Sequence, residues 1–206
     1  ERKKYGAQGF YAPLPSREEG RQHLGQVIIS RTGHTVLWET ALSSRFYRDI
    51  FDLDRTRPAY YHNESTTRMN QALLRARSLP RTGLFWECSM DLQDQHMDSL
   101  GMGQHKRTLW GGQFRLGSPR SGRFGLEGSL RLAGDGHASP LQTGLGAWAD
   151  FSPTTRLTLG FSQGERLPSF TEQFYQSPAN TGNPGLLPER SLSLNLNASH
   201  TWHSAT

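Results

Sequence analysis

Cysteine is nearly missing: Cys88 stands alone, so no disulfide can form within the chain. Long apolar runs are missing too. No stretch approaches the roughly 18 apolar residues that a membrane-crossing helix needs, which excludes such a helix. Apolar residues as a whole are scarce at 34%, below the roughly 45–50% of soluble domains, a reference that also counts glycine. Scarcity of this kind often means disorder, but aromatics at 10% and regularly placed apolar residues argue against it. Few but evenly spaced apolar side chains suit strands that are greasy on one face only. A mean hydropathy of −0.67 is compatible with that pattern, since the other face is polar.

Clustered positive charge is also lacking. The chain has 23 Lys and Arg against 18 Asp and Glu, a formal net charge of +5. Apart from Arg2-Lys3-Lys4 and Lys106-Arg107 the cations stand singly, so no nucleic-acid partner is expected. Ser, His and Asp are present without the spacing of a catalytic set, and there is no His-Glu-x-x-His and no Gly-rich phosphate loop followed by Lys. No catalytic residue is assigned and the chain reads as a non-enzyme. His200 and His203, three apart on a predicted strand, face opposite ways and make a poor ligand pair. His96 and His105 share a predicted loop with Asp94 and Asp98, where a solvated loop is favoured over a cation site. No metal or cofactor is predicted. Ser16-x-x-Glu19 reads as a capping box on a short loop helix.

What the sequence does have is alternation of period two. Over 122–132, Phe124, Leu126, Leu130 and Leu132 alternate with Arg123, Glu127, Ser129 and Arg131. Over 189–199, Leu192, Leu194, Leu196 and Ala198 alternate with Ser191, Ser193, Asn195 and Asn197. Segments 155–161, 84–92 and 110–116 repeat the pattern, with Phe85 interrupting a polar face. Segments 23–30, 35–50 and 141–151 are predicted strands with less regular faces. Segment 65–76 is ambiguous, because Met69-Asn70-Gln71-Ala72-Leu73-Leu74 also suits a helical turn. The total is nine predicted strands, mostly longer than the 5–6 residues usual in soluble sheets and close to the 9–11 that cross a bilayer at a tilt.

Connections alternate between short ones at 31–34, 77–82, 117–121 and 152–154 and long ones at 1–21, 52–64, 93–108, 133–140 and 163–188. The short ones carry Gly, Pro and Ser, as in Gly117-Ser118-Pro119 and Ser152-Pro153. Short turns at one rim and long loops at the other are the habit of up-and-down barrels of the outer membrane. Trp38, Trp110, Trp148 and Phe151, near predicted strand ends, suit the aromatic girdles of such barrels.

Two loop segments are recognisable. Gly164-Glu165-Arg166-Leu167-Pro168-Ser169-Phe170-Thr171-Glu172-Gln173-Phe174-Tyr175 has an Arg, a Pro two residues on, a small-aromatic-small run, then Glu and a tyrosine. Asn180-Thr181-Gly182-Asn183-Pro184-Gly185-Leu186-Leu187-Pro188-Glu189 follows and leads into an alternating strand. In this order the pair resembles the signature of the barrel portion of TonB-dependent outer-membrane receptors, of the siderophore and cobalamin kind. Tyr5-Gly6-Ala7-Gln8-Gly9-Phe10-Tyr11, with Pro13, Pro15, Ser16 and Glu19, is similar to a further loop of that family.

The resemblance implies an all-β fold, an antiparallel up-and-down transmembrane β-barrel of which residues 1–206 supply about nine of an expected 22 strands. It implies a place in the cell outer membrane of a Gram-negative bacterium, among outer-membrane lipid. It implies TonB and a plug domain as partners in the intact protein, and a small-molecule ligand: a ferric siderophore, haem, cobalamin or similar. No plug and no TonB-contacting box is recognisable, so the chain reads as an internal portion of a barrel. The loop residues carried over are Arg166, Pro168, Glu172, Tyr175, Asn183, Pro184, Leu186, Pro188 and Glu189, with structural or ligand-facing roles. Arg166 and Glu172 are expected to pair across the loop, and Phe10, Tyr11, Tyr60 and Tyr61 are candidate ligand contacts. The alternatives are a soluble or surface-attached β-sheet adhesion module and a small complete barrel.

Overall fold

The computed structural model of the protein describes residues 2–5, 15–79, 83–118, 122–176 and 181–202. Alternation becomes one antiparallel sheet in which every strand pairs with its sequence neighbours: β1 (Arg2–Tyr5), β2 (Arg17–Thr32), β3 (Val36–Asp52), β4 (His62–Ser78), β5 (Phe85–Ser99), β6 (Gly103–Gly117), β7 (Phe124–Gly134), β8 (Leu141–Ser152), β9 (Thr155–Arg166) and β10 (Glu189–His200). The order is strictly up-and-down and the sheet is not closed, so the fold is all-β and consistent with a segment of a barrel. One helix, α1 (Phe170–Phe174), sits between β9 and β10, and a 3-10 turn spans Pro58–Tyr60. Neither is long and apolar enough to cross a membrane, which says nothing about crossing with strands.

The register sorts the side chains. Phe114 pairs Leu130, Leu116 pairs Gly128, Leu145 pairs Phe161, and Phe161 pairs Leu194, so apolar residues align from strand to strand on one face. The belt continues through Leu92 opposite Trp110, Ala76 opposite Trp38, and Val27 opposite Leu42. On β7 it runs from Phe124 to Leu132, about 27 Å along the strand and roughly 21 Å in height at a tilt near 40°, against a barrel belt of about 25 Å. Nothing covers it among the described residues: Phe124 is 78% exposed, Leu194 74% and Met90 70%. The only buried apolar side chains described are Ala41, Ala76 and Met97.

The opposite face is polar and pairs its charges. Arg115 meets Glu127 at 2.6 Å, Arg131 meets Asp91 at 2.8 Å, Arg75 meets Glu39 at 3.4 Å, and Arg156 grips Asp150 at 2.6 and 2.7 Å. Side chains crowd on this face and splay on the other. A Cβ added at Gly111, on the polar face, would fall 2.5 Å from Arg131 Nη2, whereas one at Gly112 would meet nothing within 4 Å. A sheet curled with its polar face inward produces that contrast.

Several expectations change. Residues 93–108 are not a long loop: β5 runs on to Ser99 and β6 starts at Gly103, leaving a turn of 100–102. Past Leu92 the outward positions are Asp94, His96 and Asp98, so polar composition on both faces marks a strand that has left the belt rather than a loop. Loop length therefore does not alternate strictly. The two ends differ in another way: strands project beyond the belt at the end of 53–61, 100–102, 135–140 and 167–188, and stop close to it at the other. Ambiguous 65–76 is strand β4, fixed by ladders on both sides. Ser16-x-x-Glu19 caps no helix, since Glu19 lies inside β2. Trp38 and Trp110 stand in the belt, but Trp148 belongs to the polar face, where Gly125 lets its ring lie against the neighbouring backbone.

Candidate ligand-binding rim

The residues of the recognisable loop converge on Arg166, the last residue of β9. Its ladder partner is Glu189, the first residue of β10. The guanidinium donates 2.9 and 2.8 Å hydrogen bonds to the two Glu172 oxygens and a 2.6 Å bond to Glu189. Arg166 thus ties a strand end, a helix and the returning strand together, and pairs with Glu172. The two carboxylates push its pKa further up. In return the Arg166 guanidinium, followed by the Ser169 amide and hydroxyl, holds Glu172 down at about 2.

Glu172 does a second task. The Ser169 side chain accepts from the Glu172 amide at 3.2 Å while the Glu172 carboxylate accepts from the Ser169 amide at 2.7 Å, a full capping box on α1. Ser169-x-x-Glu172 carried that signal in the sequence. Tyr175 closes the helix, its amide donating to Thr171 O at 3.1 Å. The Gly182 amide donates to Tyr175 O at 2.6 Å and the Asn183 amide to Glu172 O at 3.0 Å, so the second half of the loop lies on the first. Asn183 Oδ1 then accepts from the Gly185 amide at 2.9 Å, and Leu186 closes the turn over Pro184 onto Asn183 O at 3.2 Å. Pro188 precedes β10, while Leu187 is 83% exposed.

Two residues that sequence reasoning missed seat this loop on the polar face. Arg107 donates to Pro168 O at 2.7 Å and to Gln95 Oε1 at 2.9 Å, and its guanidinium lies 4.7 Å from the Phe170 ring centroid. His105 stacks on Phe174 at 3.6 Å and lies 6.0 Å from the Phe170 ring, its Nε2 donating to Met102 O at 2.6 Å. The available signal was their spacing of two, which puts both on one face of a strand; reading 93–108 as a loop hid it. His96 pairs with Lys106 and lies on the other face, so His96 and His105 do not converge on a cation.

The neighbouring connection joins the same rim. Buried Asp54 accepts from the Thr56 hydroxyl at 2.6 Å and the Arg57 guanidinium at 2.9 Å; the hydroxyl first, then the Thr56 amide and Arg57, hold it down at about 2. On that anchored turn Tyr60 is 62% exposed, whereas Tyr61 packs edge-on against Phe51 and donates to Gln176 O at 3.3 Å. Tyr61 therefore links two loops, and Tyr60 keeps its ring free. Phe10 and Tyr11 lie outside the described residues.

Gly160-Phe161-Ser162-Gln163-Gly164 spells the letters of a nucleophile elbow. Its residues run straight through β9, paired on both sides, without the strand-to-helix turn that exposes such a serine. What the rim offers is shape and adhesion: exposed aromatic and aliphatic side chains on loops held rigid by buried or paired charges. The class defined by this arrangement is an open up-and-down β-sheet with an apolar outside, a charge-paired inside and interlocked loops at one end. No family model matches the chain, and no curated protein does.

Proposed function

We propose that the chain is a stretch of the membrane-spanning β-barrel of a TonB-dependent outer-membrane receptor, whose rim captures a scarce small molecule for energised import. The observation that carries this reading is the uncovered apolar belt, which runs through nine consecutive strands while the other face neutralises its charges pair by pair. Lipid is the environment that makes the first face favourable, and a wet or plugged lumen the second. The interlocked loops at one end suit an extracellular mouth, and the Arg166–Glu189 stretch supports the receptor family through its likeness to the family signature. Ligand chemistry is capture and release, with Tyr60, Leu186 and Leu187 as exposed contacts and Arg166, Glu172, Asn183 and Pro184 holding loop geometry. Ferric siderophores, haem and cobalamin are the ligand classes of that family.

The test uses the whole protein that carries this chain, expressed in a Gram-negative host lacking its own receptors. The reading predicts protein in the outer-membrane fraction and growth on one of these ligands at limiting supply, abolished when TonB is absent. Deleting 170–187 should abolish uptake while leaving the protein in the membrane. Recovery as soluble protein, or growth that does not depend on TonB, would refute it and favour an adhesion module.

A further inference from the structure

The end of the sheet opposite the rim holds a cavity of about 580 Å³, where β7 and β9 begin and β8 and β10 end. Its size falls within the roughly 300–1,000 Å³ of small-molecule sites. Hydrogen bonds fasten its walls. The Asp150 amide donates to Arg123 O at 2.5 Å, and the Thr201 amide to Thr154 O at 2.8 Å. In the tight turn between β8 and β9, Ser152 Oγ lies 3.0 Å from Thr154 Oγ1 and accepts from the Thr154 amide at 3.3 Å. Walls held this way are ordered before a ligand arrives, which lowers the cost of binding.

Charge in the cavity does not balance. Asp150 is engaged by Arg156, whose Nε and Nη2 hold its two carboxylate oxygens at 2.6 and 2.7 Å. Arg123 is exposed, and its side chain makes no ion pair or hydrogen bond among the described residues. Two guanidinium groups against one carboxylate leave a surplus of one positive charge. That matches a single carboxylate better than a phosphate monoester, which carries about −1.5 to −2. The forked donor edge of Arg123 also fits carboxylate geometry. The hydroxyls of Thr154 and Thr201 border the same cavity, and hydroxyls both donate and accept, as ligand hydroxyls require. Phe151 supplies the apolar part. Alternation would put it with the belt, but it is the extra residue of a β-bulge, unpaired between Asp150–Arg156 and Ser152–Thr155. It borders the cavity and is 72% exposed, an aromatic surface for the apolar side of a sugar ring.

We propose that this cavity binds a saccharide bearing a carboxylate, with the carboxylate on Arg123, ring hydroxyls on Thr154 and Thr201, and the apolar ring face on Phe151. Such a group comes from a free sugar acid or from a cell-wall glycopeptide. The test titrates the whole protein in detergent micelles, by calorimetry, with D-glucuronate and with a disaccharide carrying N-acetylmuramyl tetrapeptide. The tighter binder of the two names the source. D-Glucose, which lacks the carboxylate, and acetate, which lacks the ring, should each bind about tenfold more weakly or worse. Arg123→Gln should weaken binding of the acid about tenfold, through loss of a charge-assisted bond. The charge-matched variant Arg77→Gln, on the polar face of β4 three strands away, should bind as the parent does. Equal binding by the parent and Arg123→Gln would overturn the proposal, as would no binding of either acid. Glucose or acetate binding as tightly as glucuronate would overturn it too, the first by removing the part of the carboxylate and the second that of the sugar. The cavity depends on the sheet alone, so each of these failures leaves the membrane reading intact.

Discussion

Neighbouring residues of β9 offer a direct contrast between the two faces. Leu159 stands in the belt between Ala147 and Leu196 and is 48% exposed, so its neighbours cover about half of it. Thr158, one residue earlier, faces the other way between Trp148 and Asn197, with its hydroxyl 3.4 Å from Asn197 O. If acyl chains cover the exposed half of Leu159, Leu159→Arg places a guanidinium in hydrocarbon near mid-belt. The cost is about 2–4 kcal/mol, a loss of roughly 30- to 900-fold in the folding equilibrium. Thr158→Arg points into a polar, charge-lined space and gives up one weak hydrogen bond, so its cost stays within about 1 kcal/mol. The assay is denaturant unfolding of the whole protein in lipid vesicles, followed by tryptophan fluorescence. A neutral Leu159→Arg beside a strongly destabilising Thr158→Arg would refute the assignment of faces.

Three further outcomes concern the rim. Glu172 ionises more easily in the folded loop than its ordinary value of 4.5, with a folded value of about 2, so its contribution is fully present above about pH 5 and is lost as pH falls toward about 2; the protection of the α1 amides, taken as their exchange rate relative to an unstructured peptide at the same pH, should hold down to about pH 4.5 and fall below it, and protection that does not change across that window would contradict the pairing. Arg107→Ala removes two hydrogen bonds and a ring contact from the seat of α1 and should make local opening about thirtyfold easier, roughly 2 kcal/mol, read as faster exchange in α1 with global unfolding little changed. Gly182→Ala would set a Cβ 2.7 Å from the Gln173 carbonyl carbon; separating the loop halves should cost about 1–3 kcal/mol and raise protease cleavage between Tyr175 and Leu187.

The belt was legible in the sequence because one face of each strand is nearly pure: Leu192, Leu194 and Leu196 need no context to be read as one side of a strand. The polar extensions were not legible. Asp94 to Asp98 has the composition of a loop, and the ladders to β4 and β6 on its two sides make it a strand. Trp148 misled for the opposite reason. Apolar size suggested the belt, but parity with Gly144 and Gly146 puts it on the polar face, where small neighbours make room for a ring. In the rim, Arg166, Glu172 and Asn183 were singled out through the likeness of their loop to a family signature, a local pattern that survives in a linear text. Arg107 and His105 act across more than sixty residues of chain on Pro168 and Phe174, and no local pattern announces such a contact.

The central claim, that the apolar face meets lipid, is tested most directly on β7. In a Cys88→Ser background, single cysteines from Gly125 to Leu132 in the whole protein are labelled with nitroxide in lipid vesicles, and collision rates with oxygen and with a water-soluble nickel complex are compared. The account predicts a period of two, with Leu126, Gly128, Leu130 and Leu132 favouring oxygen and Glu127, Ser129 and Arg131 favouring nickel. Equal access of nickel to both sets would mean that water bathes both faces, and the membrane-spanning account would fall.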